Sequence, residues 1–244
     1  MRKITAIFCG ILALTACDKH DPILPGVRTP IFNTGGIDVK NKDIDVAPSA
    51  EIVLNNSECP YTQDSSNVIW DGNRKIFSGF ATNNTVQAQM RPICSGKYIY
   101  AGLTTGEVIK LNPKSRKIVW IADIYRASNL TGGAAMVDIV APIVPVKNWV
   151  FAGGLGDAFC KLSATSGDKK WCLEIGVAHP FAITEKYAFV VGTDKYLYAI
   201  ENSTGDVFWR SKVEVPQKPK YENGQVFVGD EVFDVKNGKK ILDK

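Results

Sequence analysis

The chain has 244 residues, of which 45% are hydrophobic, so it is long enough to form one sizeable buried core. Lysine and arginine number 29, aspartate and glutamate number 25, and the cations form no basic cluster. This near-neutral balance excludes a nucleic-acid-binding protein of the usual basic type.

The first predicted element is a secretory signal peptide over residues 1–16. Arg2 and Lys3 precede an apolar run over residues 4–14, which is too short to span a membrane as a mature helix. The run ends in Leu14-Thr15-Ala16-Cys17, which resembles the lipobox of bacterial lipoproteins. Cys17 is therefore predicted to carry the acyl chains, palmitate among them. An ordinary signal peptide followed by an incidental cysteine is the alternative.

A lipid on Cys17 would anchor the chain to a membrane of a Gram-negative cell envelope, with the folded body facing the periplasm. Asp18 follows directly, and in enterobacteria an aspartate at that place retains lipoproteins in the inner membrane. That rule does not extend to all bacteria. The prediction favours the outer membrane and keeps the inner membrane as the alternative.

Residues 17–50 are predicted to be a lipidated N-terminus and an extended tether, because they are rich in proline, glycine, asparagine and charges without helical periodicity. From residue 51 to residue 244, short runs of β-branched and aromatic residues alternate with polar turns. That pattern is typical of all-β structure, and we expect residues 51–244 to form one β domain.

Four segments of this domain are copies of one unit, and they begin at Tyr98, Trp149, Tyr187 and Gln225. Each copy has a strand closing on a glycine and a second strand that ends in an apolar anchor, and nine residues after the anchor comes a large apolar residue. The anchors are Leu111, Leu162, Ile200 and Phe233, and the residues nine positions later are Trp120, Trp171, Trp209 and Leu242. A glycine follows the anchor by five residues in three copies, as Gly167, Gly205 and Gly238, and Arg116 replaces it in the first.

This repeat predicts a β-propeller. A strand-turn-strand unit cannot bury both faces alone, whereas units stacked around an axis bury them and protect their edges. The glycine supplies the backbone freedom of the turn, and the tryptophan is suited to packing between sheets while its indole N–H bonds a loop carbonyl. We expect about four to five four-stranded blades, in a small closed ring or an incomplete one. A β-meander with coincidental aromatics is the alternative.

Catalytic residues are scarce in this sequence. His20 lies in the tether and His179 precedes a proline, and no nucleophile, phosphate-binding or metal-binding motif is present. The candidate carboxylates lie at turns, where aspartate commonly satisfies backbone amides: Asp138, Asp157, Asp168, Asp194 and Asp206. We therefore predict no enzymatic activity, no cofactor, no metal and no small-molecule substrate.

Four cysteines fall in the β domain: Cys59, Cys94, Cys160 and Cys172. Cys160 and Cys172 lie six residues on either side of Ser166, at the centre of a predicted hairpin, so they would face each other on neighbouring strands. A disulfide there is one prediction and two free thiols are the other, with Cys59 and Cys94 as the second pair. The sequence lacks a Cys-x-x-Cys motif, which weighs against metal or redox roles.

The stretch YLYAIENSTGDVFW, residues 196–209, resembles the repeat of pyrroloquinoline-quinone (PQQ) type propellers. Together with the lipobox and the similar tether DPILPGVRTPIF, residues 21–32, the chain resembles the BamB-like propeller lipoproteins of the outer-membrane β-barrel assembly machinery. Members of that family are usually longer and close a ring of eight blades, so this chain resembles a shortened member.

The resemblance implies a non-catalytic scaffold in the assembly of outer-membrane β-barrel proteins. Its implied partners are the membrane, the central β-barrel assembly protein and nascent outer-membrane proteins. A docking turn of the family matches residues 162–167, where Leu162 is kept and Thr165 replaces an arginine, and a second falls at Thr193 and Asp194. Exposed strand edges would accept nascent strands by β-augmentation.

Two other functions remain open at this point. One is a periplasmic or inner-membrane interaction propeller with another partner, which Asp18 favours. The other is a reduced PQQ-dependent dehydrogenase. Those enzymes typically hold their cofactor against an adjacent Cys-Cys disulfide, and this sequence has no adjacent cysteines.

Overall fold

A computed structural model describes residues 36–45, 47–53, 59–82, 91–125 and 136–241. Every regular element in these ranges is a β-strand, which confirms the predicted all-β class. The predicted signal peptide, Cys17, His20 and Leu242 lie outside the described residues. No helix in the described ranges has the length and apolarity needed to cross a membrane.

The strands form five antiparallel sheets, each built from strands that are consecutive along the chain. Blade I has three strands and blades II to V have four each. Blade I contains β1 Tyr61–Gln63, β2 Val68–Asp71 and β3 Arg74–Ser78; blade II contains β4 Ile93–Ser95, β5 Tyr98–Gly102, β6 Glu107–Asn112 and β7 Lys117–Asp123. Blade III contains β8 Val144–Val146, β9 Trp149–Gly154, β10 Ala158–Ser163 and β11 Lys169–Leu173. Blade IV contains β12 Ala182–Ile183, β13 Tyr187–Val191, β14 Tyr196–Glu201 and β15 Val207–Lys212; blade V contains β16 Pro219–Glu222, β17 Gln225–Val228, β18 Glu231–Asp234 and β19 Lys240–Ile241.

The five sheets form an open propeller, because the core clusters join each blade only to its neighbours along the chain and none joins described residues of blade V to blade I. The first strands of blades IV and V approach each other, so the first strands lie towards the axis and the fourth strands form the rim. We call the face that carries the turns between third and fourth strands the lower face. The opposite face, with the turns between second and third strands, is the upper face.

The hydrophobic core is divided into four clusters, one at each junction between neighbouring blades. Ile69 of blade I packs with Ile109 of blade II, and Trp120 of blade II packs with Leu162 of blade III. The junction of blades III and IV contains Phe159 and Ile200, and that of blades IV and V contains Trp209 and Phe233. Apolar burial between sheets, and not within any single sheet, therefore holds the arc together.

A β-bulge precedes the anchor residue in blades II, III and IV. Lys161 pairs with Trp171 whereas Leu162 pairs with Lys169, so the residue of β11 between them has no cross-strand partner in β10. The same register shift occurs in blades II and IV. Blade V has no such shift: Val232 pairs with Ile241. The position opposite the residue before the anchor, which the repeat assigned to Leu242, is therefore occupied by Ile241.

Residues 36–45 and 47–53, which we call the N-terminal segment, lie against blades IV and V. Val39 forms a parallel bridge with Val207, and the buried Ile44 joins the core of these blades and donates its backbone N–H to the Lys236 carbonyl at 2.8 Å. The Ile52 N–H bonds the Ile183 carbonyl at 2.7 Å. The predicted start of the propeller domain, residue 51, thus differs from the start of the compact unit at Gly36.

Candidate functional site: blade junctions and exposed turns

Each repeat tryptophan reaches across a junction to the lower-face turn of the next blade. Its indole Nε1–H donates to the carbonyl of the residue two positions after the next anchor, so one side chain satisfies a turn carbonyl and packs between two sheets. The three bonds are Trp120 to Ala164 at 3.2 Å, Trp171 to Asn202 at 3.1 Å and Trp209 to Val235 at 2.9 Å.

The glycine of each turn lies directly against the same indole. Gly167, Gly205 and Gly238 have φ angles of 80°, 84° and 70°, and a Cβ atom on any of them would come within 3.0 Å of an indole carbon. Arg116, which replaces the glycine in the first copy, also adopts a positive φ, of 55°. The glycine is needed for both the backbone angle and the close approach of the ring.

Two buried lysines strengthen these junctions, and the sequence analysis did not identify them. Lys110 donates from Nζ to the Ala164 carbonyl, and Lys161 donates to the Asn202 carbonyl at 2.7 Å. These are the carbonyls that already accept from Trp120 and Trp171. The sequence signal is a lysine directly before the anchor, inside an apolar strand, in two successive copies.

Both ammonium groups also lie over aromatic rings. Lys110 Nζ lies 4.1 Å from the centre of the Tyr98 ring, and Lys161 Nζ lies 4.1 Å from the Trp149 ring. Burial lowers the pKa of both lysines from its usual value, because desolvation penalises the charged form. The carbonyl bond and the ring face offset part of that penalty.

The predicted docking turn at residues 162–167 lies on the lower face of blade III. Leu162 is 0% exposed, so this side chain cannot contact a partner, because it belongs to the core between blades II and III. Thr165 and Ser166 are exposed, and their backbone N–H groups both donate to Ser163 Oγ. Only the tip of this turn is therefore available for docking.

The second predicted docking turn, Thr193 and Asp194, lies on the upper face of blade IV, opposite to the first. Both residues are exposed, but the Asp194 carboxylate accepts from the Tyr198 hydroxyl and, at 3.2 Å, from the Tyr196 backbone N–H. Burial, followed by the bond to Asp194, raises the pKa of Tyr198 well above its usual value. The two turns therefore cannot form one continuous docking surface.

Strand β7 forms the outer edge of blade II and exposes an apolar strip. Ile118, Val119 and Ile121 are 44%, 43% and 47% exposed, between Lys117 and Asp123 at the ends of the strand. The corresponding edge of blade IV is instead contacted by the N-terminal segment, through Val39 and Val207. Along β7, one side of the backbone pairs with β6 and the other side faces the rim.

Both cysteine pairs are joined by disulfides in the structure. Cys160 and Cys172 face each other directly across β10 and β11, with a Cα–Cα distance of 4.2 Å. Cys59, which precedes β1, is bonded to Cys94 in β4 and so connects blade I to blade II. Both bonds hold strands of the scaffold together.

Side chains suited to metal binding are not brought together within the described ranges. No set of three histidine, cysteine, aspartate or glutamate side chains is placed to hold a metal ion in that part of the chain. Of the five candidate carboxylates, Asp138 is fully buried and Asp168 is exposed and accepts from the Ser166 hydroxyl. Asp206 follows Gly205, and its backbone N–H donates to Thr204 Oγ1.

These features define a class of protein. Four-stranded blades, tryptophans that bond the turn of the next blade and glycines beneath the indoles make this chain a β-propeller of the PQQ-type repeat, as the sequence predicted. A family model described as outer membrane protein assembly factor BamB matches residues 46–211 and 156–239, and the chain belongs to that family.

Individual proteins are similar to this chain at low sequence identity. An outer membrane protein assembly factor BamB of Kangiella koreensis is 18% identical over 137 residues, covering 56% of this chain and 35% of the relative. The crystal structure of BamB from Moraxella catarrhalis matches with a TM-score of 0.54 at 13% identity, covering 80% of this chain and 66% of that one. A quinohemoprotein alcohol dehydrogenase from Comamonas testosteroni has a TM-score of 0.49 at 13% identity and covers 63% of this chain and 34% of that one. The chain thus spans about a third of the length of the curated relative.

Proposed function

We propose that this protein is a lipid-anchored, non-catalytic scaffold for the assembly of β-barrel proteins into the outer membrane. The observation that carries the proposal is the family match, which extends over residues 46–239 and so includes blades I to IV and the first three strands of blade V. The name of the Kangiella koreensis relative supports the assembly role. Fold alone would not, since propellers of this type serve unrelated functions.

The proposed mechanism is the presentation of surfaces close to the membrane. A lipid on Cys17 would keep the propeller at the membrane, and two acyl chains or more are needed for stable anchoring. The exposed tip of the lower-face turn, Thr165 and Ser166, is the proposed docking point for the central assembly protein. Thr193 and Asp194 would contact a second partner surface, because they lie on the opposite face.

The proposed site for a nascent β-strand is the edge of β7. An unpaired edge presents backbone N–H and C=O groups to which an extended segment can hydrogen-bond. The side chains of Ile118, Val119 and Ile121 would contact apolar side chains of the incoming strand. Lys117 and Asp123 are the two ends of this edge.

Site-specific photocrosslinking in the native envelope tests this proposal. A benzoylphenylalanine at position 118 should crosslink to nascent outer-membrane proteins, and one at position 165 to the barrel-assembly protein. Val215, which is 59% exposed in the loop after β15, is the matched control position and should give neither product. Recovery of crosslinks only to unrelated envelope proteins would overturn the proposal, as would quinone-dependent activity of the purified protein.

Lipidation is tested separately by substituting Cys17→Ala and labelling cells with a palmitate analogue. The wild-type protein should take up the label and sediment with the outer membrane, whereas the variant should be unlabelled and soluble. Sedimentation of the wild type with the inner membrane would instead support the alternative that Asp18 suggests.

A further inference from the structure

A cleft of about 890 Å³ opens on the lower face where blades III and IV meet. Its walls are the turn between β8 and β9, the turn between β12 and β13, and the residues after β14. Residues 42, 45 and 52 of the N-terminal segment form the remaining side. The cleft is large enough for one or two amino-acid side chains with their backbone.

Four aromatic side chains line the cleft, and Trp149 is the most exposed of them. Trp149 is half-buried and lines it together with Phe151, Tyr187 and Phe208. Ile183 adds an aliphatic side chain beside them. Such a surface favours an aromatic or large aliphatic group over a polar one, because it removes apolar area from water on both sides.

The cleft also contains a cation that has no anionic partner among the described residues. Lys161 is 6% exposed and lines the cleft, and its ammonium bonds the neutral Asn202 carbonyl and lies over the Trp149 ring. Among the described residues, no carboxylate lies within ion-pair distance of it. A desolvated ammonium group gains more from a carboxylate than an exposed one does, because water screens the attraction less.

The rim of the cleft limits how much negative charge a ligand can carry. Lys42, Lys147 and Lys186 lie there, but so do Asp45, Glu185 and Glu201. The pair between Lys147 and Glu185 is solvent-exposed with 3.8 Å between Nζ and Oε1, so it holds neither group firmly. The rim charges balance, three of each sign, so Lys161 gives the cleft one net positive charge, which a single carboxylate on the ligand matches and a polyanion exceeds.

We propose that this cleft binds a peptide segment of a partner protein through one carboxylate adjacent to an aromatic or large aliphatic side chain. The carboxylate accepts from the Lys161 ammonium, and the apolar side chain packs on Trp149 and its aromatic neighbours. The inference concerns the chemistry of the bound segment. It holds whether or not the partner belongs to the barrel-assembly machinery, so its test is independent of the proposed function.

Saturation-transfer NMR on the full-length protein tests the proposal with two probes that differ in one group. N-acetyl-phenylalanine carries the carboxylate and the ring, and N-acetyl-phenylalanine amide carries the ring alone. At pH 7 we expect the acid to bind about tenfold more tightly or better than the amide, as a charge-assisted bond predicts. Equal affinities, or no saturable binding of the acid, would refute the proposal without any variant.

A matched pair of variants then tests whether the Lys161 ammonium is the group that binds the carboxylate. Lys161→Met should remove the preference for the acid, whereas Lys110→Met should keep it. Lys110 has the same carbonyl bond and the same ring contact at the preceding junction but does not line this cleft. Both substitutions weaken a junction between blades to a similar extent. A loss of the preference for the acid in both variants would therefore show that a change in folding causes it, and would refute the assignment of Lys161 as the carboxylate-binding group.

Discussion

The contact between turn glycine and indole can be tested with two glycines that differ in one respect. Gly205 and Gly224 have φ angles of 84° and 80°, but a Cβ on Gly205 would lie 2.8 Å from Trp171 Cγ, whereas a Cβ on Gly224 would meet nothing within 4 Å. Gly224→Ala therefore measures only the free-energy cost of placing alanine at a positive φ. Gly205→Ala reports the angle together with the junction.

The expected magnitudes follow from these distances. Placing alanine in the left-handed region costs about 1–2 kcal/mol at either position. At Gly205 the indole must also move by several tenths of an ångström to restore van der Waals contact. That shift strains its 3.1 Å bond to the Asn202 carbonyl, and overpacking of this kind typically costs a further 1–3 kcal/mol or so. Gly205→Ala should thus lower the free energy of unfolding by about 2–5 kcal/mol.

Urea unfolding of both variants, followed by fluorescence and far-ultraviolet circular dichroism, measures the two losses. In a protein that already carries Trp171→Leu, Gly205→Ala should destabilise the fold less, because the indole that would contact the new Cβ is absent. The double-mutant cycle measures this coupling free energy between the two positions. Equal losses for Gly205→Ala and Gly224→Ala would refute the idea that the indole makes this glycine necessary.

Two further results are expected from stability measurements. Replacing Cys59 and Cys94 by serine should lower the free energy of unfolding by about 4 kcal/mol, and replacing Cys160 and Cys172 by about 3 kcal/mol. The chain-entropy model gives this order because the two bonds close loops with sequence separations of 35 and 12. The denaturant midpoints of the two double variants check the order. The pKa of Tyr198 is raised in the folded state, so the folded protein should lose stability as the pH rises above the unfolded value of about 10. Tyr198→Phe should reduce that alkaline loss, and an unchanged pH profile would contradict the assignment.

The architecture was predictable because the repeat places each packing residue at a fixed offset. Leu162, Trp171 and Gly167 were chosen as anchor, packing residue and turn from their spacing alone, and all three occupy the junctions of the structure. Such offsets translate directly into structure when neighbouring units are identical in length and register. The open arc was one of the two predicted outcomes.

Contacts between distant parts of the chain were not predictable in this way. Residues 36–50 were expected to be a tether, yet Ile44 is buried in blades IV and V, since its partners come from almost 200 residues later. Lys161 was overlooked because a lysine in an apolar strand has no carboxylate in the sequence to suggest a pair. Leu162 was assigned to docking from resemblance, although its spacing also made it a core residue.

The N-terminal segment has a consequence for the order of folding. Its partners on blades IV and V, Val207, Tyr221 and Lys236, lie far later in the sequence, and the Tyr221 hydroxyl bonds the Pro48 carbonyl across 173 positions. Blades II to IV can form from local hairpins, which close quickly. The N-terminal segment can therefore dock only after blades IV and V have been synthesised, and its docking should be a late step of folding.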